Sequence, residues 1–353
     1  MFNHTKTKIK QWTIALAVLV SLLGFTCVAI SSPKQTQPIH TLKIGTVASD
    51  KTPWSRILVE LAEKVKSDTQ NKIDFEFGFG ARYGGEKELV ELCQKGEIAI
   101  VGISTAIVSN LVPEINALEF PYLFNSHDEA EYIIDDVIGS TIKEKLEAHG
   151  LMLLVWSENG FLNIATNKKA VRKISDLKGL PLRNQESRIS NEIFKRVGVK
   201  PLPLSVREVA QGLQAGIIDG FCNTPLFTYS SGLYHYIKYY TVSEHSFQPV
   251  LLLLSKKVYD DLPSELRNTF WNHTRQIGEN SRVYVREAQA RSLVKLQESG
   301  VEVIKLGIDE KARFINSTQQ IFSECDKLIG HDACRLFEKI KKALDNRRKS
   351  AKQ

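Results

Sequence analysis

The chain has 353 residues, with 47 lysines and arginines against 40 acidic residues, for a formal net charge of +7. Its length accommodates two ordinary domains, and a balance of 42% apolar to 25% charged residues excludes a chain that is disordered throughout. No basic stripe with interleaved aromatics occurs, so nucleic acid is not an expected partner, and the basic end NRRKSAKQ (346–353) reads as a solvated tail.

The first thirty residues differ from the rest. Lys6, Lys8 and Lys10 form a basic start, Trp12 to Ile30 is apolar apart from Thr13, Ser21 and Thr26, and the small residues Ala29, Ser31 and Ser32 follow. That order predicts a secretory signal peptide over 1–31 and export from the cytoplasm. The apolar run is also long enough to be a retained anchor, since about 20 residues span a bilayer. A lipid-modified Cys27 is a third option, disfavoured by Thr26 before it. Cys93 and Cys222 sit in apolar runs and read as buried thiols. In CDKLIGHDAC, Cys325 and Cys334 flank Gly330, which predicts a disulfide closing a helix-to-helix turn in an oxidising compartment.

In chain order, LKIGTV predicts a first strand. Thr52 and Pro53 then open a helix whose apolar face is Ile57, Leu58, Leu61, Ala62 and Val65. IDFEFGF alternates as a half-buried strand. The loop GFGARYGGEK invites a phosphate-binding reading that fails on chemistry: Tyr83 stands where a dinucleotide fingerprint needs its third glycine, and Glu86 where a P-loop needs lysine. A turn before the helix of Leu89, Val90 and Cys93 is expected instead. IAIVGIS is a buried strand, LEFPYLF is irregular because of Pro121, and Ser126 with Glu129 forms a capping box opening a helix to about His149.

LMLLVWSENG and FLNIATN predict two strands, with Glu158-Asn159-Gly160 as the place where the chain leaves one domain for another. ISDLKGLPLRNQ ends a short strand in Arg183, and GIIDGFCN ends another in Asn223; helices and a strand near Leu202 lie between. Such α/β units place ligand-binding groups at the carboxyl ends of parallel strands. A strand-like segment near 236–245 and FQPVLLLLSKK lead back. The expected domains are 41–159 with about 248–285, and 160–247 with about 286–345, joined at a hinge. From Pro263 and Ser264 the longest helical pattern extends to about Ser299, expected to lie across both lobes and to bend near Gly278. VEVIKL and helices over about 309–325 and 332–346 follow.

No HxxxH, CxxC or G-x-S-x-G pattern is present, so neither a metal, a cofactor nor an enzyme is expected. Glu158 reads as a hinge or rim residue, and Asp219 as a strand-end turn residue before a functional carboxylate. Arg183 carries the side chain best shaped to grip a carboxylate through two parallel hydrogen bonds.

GGEKELVE, LEFPYLF, SDLKGLPLR, REVAQGLQAGIIDG with its following CNTP, and SKKVYDDLPSELR together resemble the periplasmic solute-binding subunits of TRAP transporters, the DctP type, over residues 42 to 325. Each segment alone is weak; five in order are specific. The resemblance implies an α/β fold of two lobes with a hinge and a long helix across both. It further implies closure around a small organic acid and delivery to the small and large TRAP membrane subunits. Arg183 corresponds to the family's carboxylate-binding arginine and Asn223 to its D-G-x-x-N asparagine. Ser104 and the Gly45 to Val47 strand end are expected to contribute from the first domain, with Phe161 and Tyr122 as apolar walls. Leu162 stands where many members carry a second arginine, Ala210 replaces an aromatic, and CNTP replaces E-N-P. Loss of that cation points to a monocarboxylate with an apolar or aromatic body. An exported sensor presenting its ligand to a receptor is the alternative, and an exported enzyme on the same scaffold a more distant one.

Overall fold

The computed structural model describes residues 40–351; the leader, with Cys27, lies outside them. One nine-stranded sheet runs through the fold. In its first part β1 (His40–Thr46) lies between β2 (Ile73–Gly78) and β3 (Ile100–Ser104), all parallel. In its second part β5 (Pro181–Asn184) lies between β6 (Lys200–Pro203) and β7 (Gly220–Asn223), again all parallel.

Two long strands join these triplets. β4 (Leu151–Thr166) and β8 (Tyr239–Ser255) pair antiparallel along nearly their whole length, β3 pairs antiparallel with β8, and β7 antiparallel with β4. Three successive reversals make the β1 triplet run opposite to the β5 triplet, so the carboxyl ends of both converge on one place. β9 (Glu302–Lys305) adds in parallel to the start of β8.

Each long strand replaces a pair of shorter ones expected from sequence. Val250 to Leu254 are buried on both faces, which is why this segment reads as a continuous apolar run rather than an alternating one. β4 bends through register shifts at Leu153/Val155, Glu158/Gly160 and Leu162/Ile164, with Gly160 at φ +94°. Bulges of this kind absorb an extra residue and re-aim side chains without breaking the strand.

The helix Thr274–Glu298 packs against β4, against the helix Pro53–Asp68 of the first part and against the helix Pro225–Ser230 of the second. Its 25 residues span about 38 Å. It is shorter than expected because the pattern breaks after Trp271, where Asn272 Nδ2 and His273 Nε2 turn to Asp68 Oδ2 at 2.9 and 3.1 Å. The expected bend at Gly278 is not where the break falls; that residue lies inside the helix Thr274–Glu298, buried against Val155 and Trp156 of β4.

Ser126 caps the next expected helix, accepting from Glu129 N at 3.2 Å, but the segment passes through a π-turn at Ile133–Ile138 before Gly139–Ala148. A Cβ at Gly139 would lie 2.8 Å from Ile134 O, so glycine is what this turn requires. Cys325 and Cys334 are joined, with Cα atoms 5.5 Å apart, while Cys93 and Cys222 are free and buried. The last helix runs His331–Ser350, so residues 346–350, read as a tail, are helical. Arg348 fastens them, donating to Glu129 Oε2 at 2.6 Å and to Leu123 O at 2.8 Å.

Candidate functional site

A cavity of about 50 Å³ lies where the two sets of strand ends meet. β1 contributes Thr46 with Val47 and Ala48 after it, β3 contributes Gly102 to Ser104, β5 contributes Arg183 with Gln185 after it, and β7 contributes Asn223. Asn159 enters from the β4 bulge, Glu86 from the first turn of the helix Glu86–Lys95, and Trp54 and Phe227 from the first turns of their helices.

Arg183 is 5% exposed, with Leu182 beside it on the opposite, apolar face of β5. Its Nε donates to Leu204 O at 2.8 Å, fixing the guanidinium plane, while Nη1 is buried with no partner. Burial drives its pKa below the usual arginine value, with Cys222 and Glu86 opposing that shift. Among the described residues it makes no ion pair, and it is the only cationic side chain lining the cavity. A buried donor without a partner is costly, and a bound anion removes the cost.

Glu86 supplies the opposite character. Its Oε1 accepts from Ser104 N at 2.6 Å and its Oε2 from Ser104 Oγ at 2.7 Å. Burial raises its pKa against the pull of those two bonds and of Arg183. Ser104 therefore lines the cavity with its donors committed to Glu86. Asn223 Oδ1 accepts from Thr224 N at 2.8 Å, which turns the amide NH2 into the group this residue has to offer. Gln185 and Asn159 both donate to Gln248 Oε1, at 3.1 and 2.7 Å, tying the two sides together with neutral amides.

Phe161 and Tyr122 are not walls of this cavity. Asn159 is the extra residue of the Glu158/Gly160 bulge, so alternation resets after it and Phe161 turns to the other face, edge-on to His127 and Phe247 at 5.2 Å from each. Tyr122, at φ +51°, donates to Ser243 O at 3.1 Å and packs edge-on against Phe314. Trp54 and Phe227, 6.3 Å apart, are the aromatic walls. In the sequence neither was singled out, and Glu86 was noticed only as an obstacle to phosphate.

Leu162 is buried in the core. Asp219 pairs with Lys168 at 2.5 Å and accepts from Asn167 N through its backbone, a strand-end turn residue. Cys222 Sγ lies 3.4 Å from His245 Nε2, but burial pushes the thiol up to about 12 and the imidazole down to about 3, so the pair is neutral. Neither residue lines the cavity. A thiolate nucleophile is not formed there.

Glu119 lies buried beside the site, accepting from Ser187 Oγ and, at 3.3 Å, from Thr105 Oγ1. Burial pushes its carboxyl up to about 7 from 4.5, with Glu86 adding to the rise. A raised carboxyl favours the fold below its ordinary value and loses that contribution as pH climbs through the raised one. Urea unfolding of the wild type should therefore show stability falling between about pH 4.5 and about 7, a slope that Glu119→Gln flattens.

Opposed strand ends, long crossing strands and an interlobe cavity define a two-lobed binding protein. The family model for bacterial extracellular solute-binding proteins, family 7, matches residues 44–327, and the chain belongs to that family. It is 30% identical over 304 residues to a solute-binding protein of Verminephrobacter eiseniae, covering 86% of this chain and 89% of that one. It is also 30% identical over 273 residues to the 2,3-diketo-L-gulonate-binding periplasmic protein of Escherichia coli, covering 77% and 83%. Among solved structures, a TRAP solute-binding protein of Haemophilus influenzae with bound L-gulonate superposes with a TM-score of 0.81 at 28% identity, covering 86% of this chain and 99% of that one. The galactonate complex of a sugar acid binding protein from Advenella mimigardefordensis gives 0.83 at 25% identity, covering 87% and 99%. The chain is thus a solute-binding protein of the TRAP type.

Proposed function

We propose that this protein captures a hydroxylated monocarboxylic acid outside the cytoplasm and delivers it to TRAP-type membrane subunits. The observation that carries this reading is the buried, unpartnered Nη1 of Arg183 in a cavity without a second cation. One guanidinium fork matches one carboxylate. Glu86, Asn159, Gln185 and Asn223 are suited to hydroxyl groups, which both donate and accept, while Trp54, Phe227 and Val206 face the carbon skeleton. Relatives solved with bound L-gulonate and D-erythronate hold acids of this kind.

At about 50 Å³ the cavity is smaller than a six-carbon acid needs, so entry requires the lobes to part. The bulges of β4 are the points that bend, and export by the N-terminal leader puts the protein where it meets its ligand. Binding without chemistry is the proposed role; intact recovery of a bound acid supports it over turnover.

A second carboxylate would face Glu86 rather than a cation. Calorimetric titration should accordingly find succinate at least about tenfold weaker than the best hydroxy monocarboxylate, about 1.4 kcal/mol. Equal affinity for succinate would sink the one-cation reading.

A further inference from the structure

The long helix carries a residue that reaches both walls of the cavity without lining it. Gln289 Oε1 accepts from Leu226 N at 2.8 Å, and its Nε2 donates to Asn159 O. Leu226 N belongs to the first turn of Pro225–Ser230, where a helix has no partner of its own for its amides. Thr224 Oγ1 caps that turn by accepting from Phe227 N at 3.4 Å, and Gln289 supplies the acceptor for the neighbouring amide. Phe227, the next residue, is a cavity wall; Asn159, on the other bond, is the bulged residue of β4 that also lines the cavity.

One turn earlier on the same helix, Arg286 holds Glu158 through Nε and Nη2 at 2.9 and 2.8 Å. Glu158 O accepts from Trp54 Nε1 at 3.0 Å, and Trp54 is the other aromatic wall. The bulge that places Asn159 is therefore held at two successive residues by one helix, and among the described residues Gln289 alone links the bulge to the helix bearing Phe227 by side-chain hydrogen bonds.

We propose that Gln289 is a positioning residue for ligand capture: a single amide that sets the spacing of Asn159 and Phe227 and ties both to the long helix. The inference rests on the cavity being the ligand site. It assigns Gln289 no contact with ligand. Its donor and acceptor have separable tasks, the acceptor ordering the Phe227 wall and the donor ordering the Asn159 wall.

Gln289→Leu removes both tasks, and Gln289→Glu keeps an acceptor for Leu226 N while losing the donor to Asn159 O. Hydrogen exchange of the ligand-free proteins should show faster exchange at both 158–161 and 225–228 in the leucine variant, but at 158–161 alone in the glutamate variant, with 53–68 unaltered in each. Affinity is read with the acid giving the largest wild-type thermal shift among L-gulonate, D-erythronate, pantoate and D-glucuronate. It should fall at least tenfold in Gln289→Leu and less in Gln289→Glu. Unchanged exchange at either wall in the leucine variant overturns the proposal, as does wild-type affinity in that variant. If none of the four acids binds the wild type, the reading of the cavity fails, and the exchange pattern still decides the role of Gln289.

Discussion

Arg183→Ala should lose about 2–5 kcal/mol of ligand binding, roughly thirtyfold to a few thousandfold in Kd, because truncating one member of a buried, hydrogen-bonded charge pair strands the other. The ligand-free variant should be no less stable than the wild type. Among the described residues the one hydrogen bond it loses is that from Nε to Leu204 O, and against that loss stands removal of a desolvated cation with an unpartnered Nη1. Arg183→Lys should also lose at least about tenfold, since an ammonium cannot reproduce the planar fork. Calorimetry together with thermal unfolding checks both halves. A variant that binds normally, or one that loses binding only because it unfolds, contradicts the role given to this residue.

The second large effect lies behind the cavity. Glu158 is 2% exposed, and its carboxylate accepts two bonds from Arg286, with His127 Nδ1 lying 3.0 Å away. Burial pushes its pKa up, but the bonds from His127 and Arg286 outweigh this and hold it below the ordinary carboxylate value. A depressed carboxyl stabilises the fold above its ordinary range, and that contribution is lost as pH falls through the lowered value. Arg286→Leu leaves a buried anion without its main partner and should cost about 3–5 kcal/mol of folding stability at neutral pH. The loss should shrink as the pH is lowered and Glu158 takes up a proton. Urea unfolding across the acid range measures it; a pH-independent loss below about 1 kcal/mol would contradict the account of this pair.

Much of the architecture was legible in the sequence because it rests on local rules. Thr52 with Pro53 and Ser126 with Glu129 open helices where capping chemistry says they should, and Arg183 and Asn223 lie at the ends of short strands, one residue before the end of β5 and at the end of β7. What could not be read were consequences of pairing between distant segments. LMLLVWSENG and FLNIATN look like two strands because Glu158-Asn159-Gly160 is polar and contains glycine; pairing with β8 makes them one strand with a bulge. That same bulge defeated the expectation for Phe161, since a one-residue insertion reverses which face a side chain takes. The break after Trp271 depends on Asp68, two hundred residues away in the chain.

The site was legible in part for a similar reason. Arg183 stands out because a buried cation at a strand end is chemically conspicuous. Trp54 and Phe227 do not, because an aromatic in the first turn of a helix fits the apolar pattern of any core. Glu86 was visible yet misjudged as merely incompatible with phosphate; opposite Arg183 it becomes the feature that turns a general carboxylate cleft into one suited to a single carboxylate with hydroxyl groups. Gln289 carries no sequence signal, since a glutamine on a long polar helix is ordinary until both its bonds are seen.

The most direct test is native mass spectrometry of the purified protein beside Arg183→Ala. The wild type should carry one small organic acid per chain, released intact on denaturation and identified from its mass, and the folded variant should carry none. Retention of the same acid at the same occupancy by Arg183→Ala would contradict the central claim.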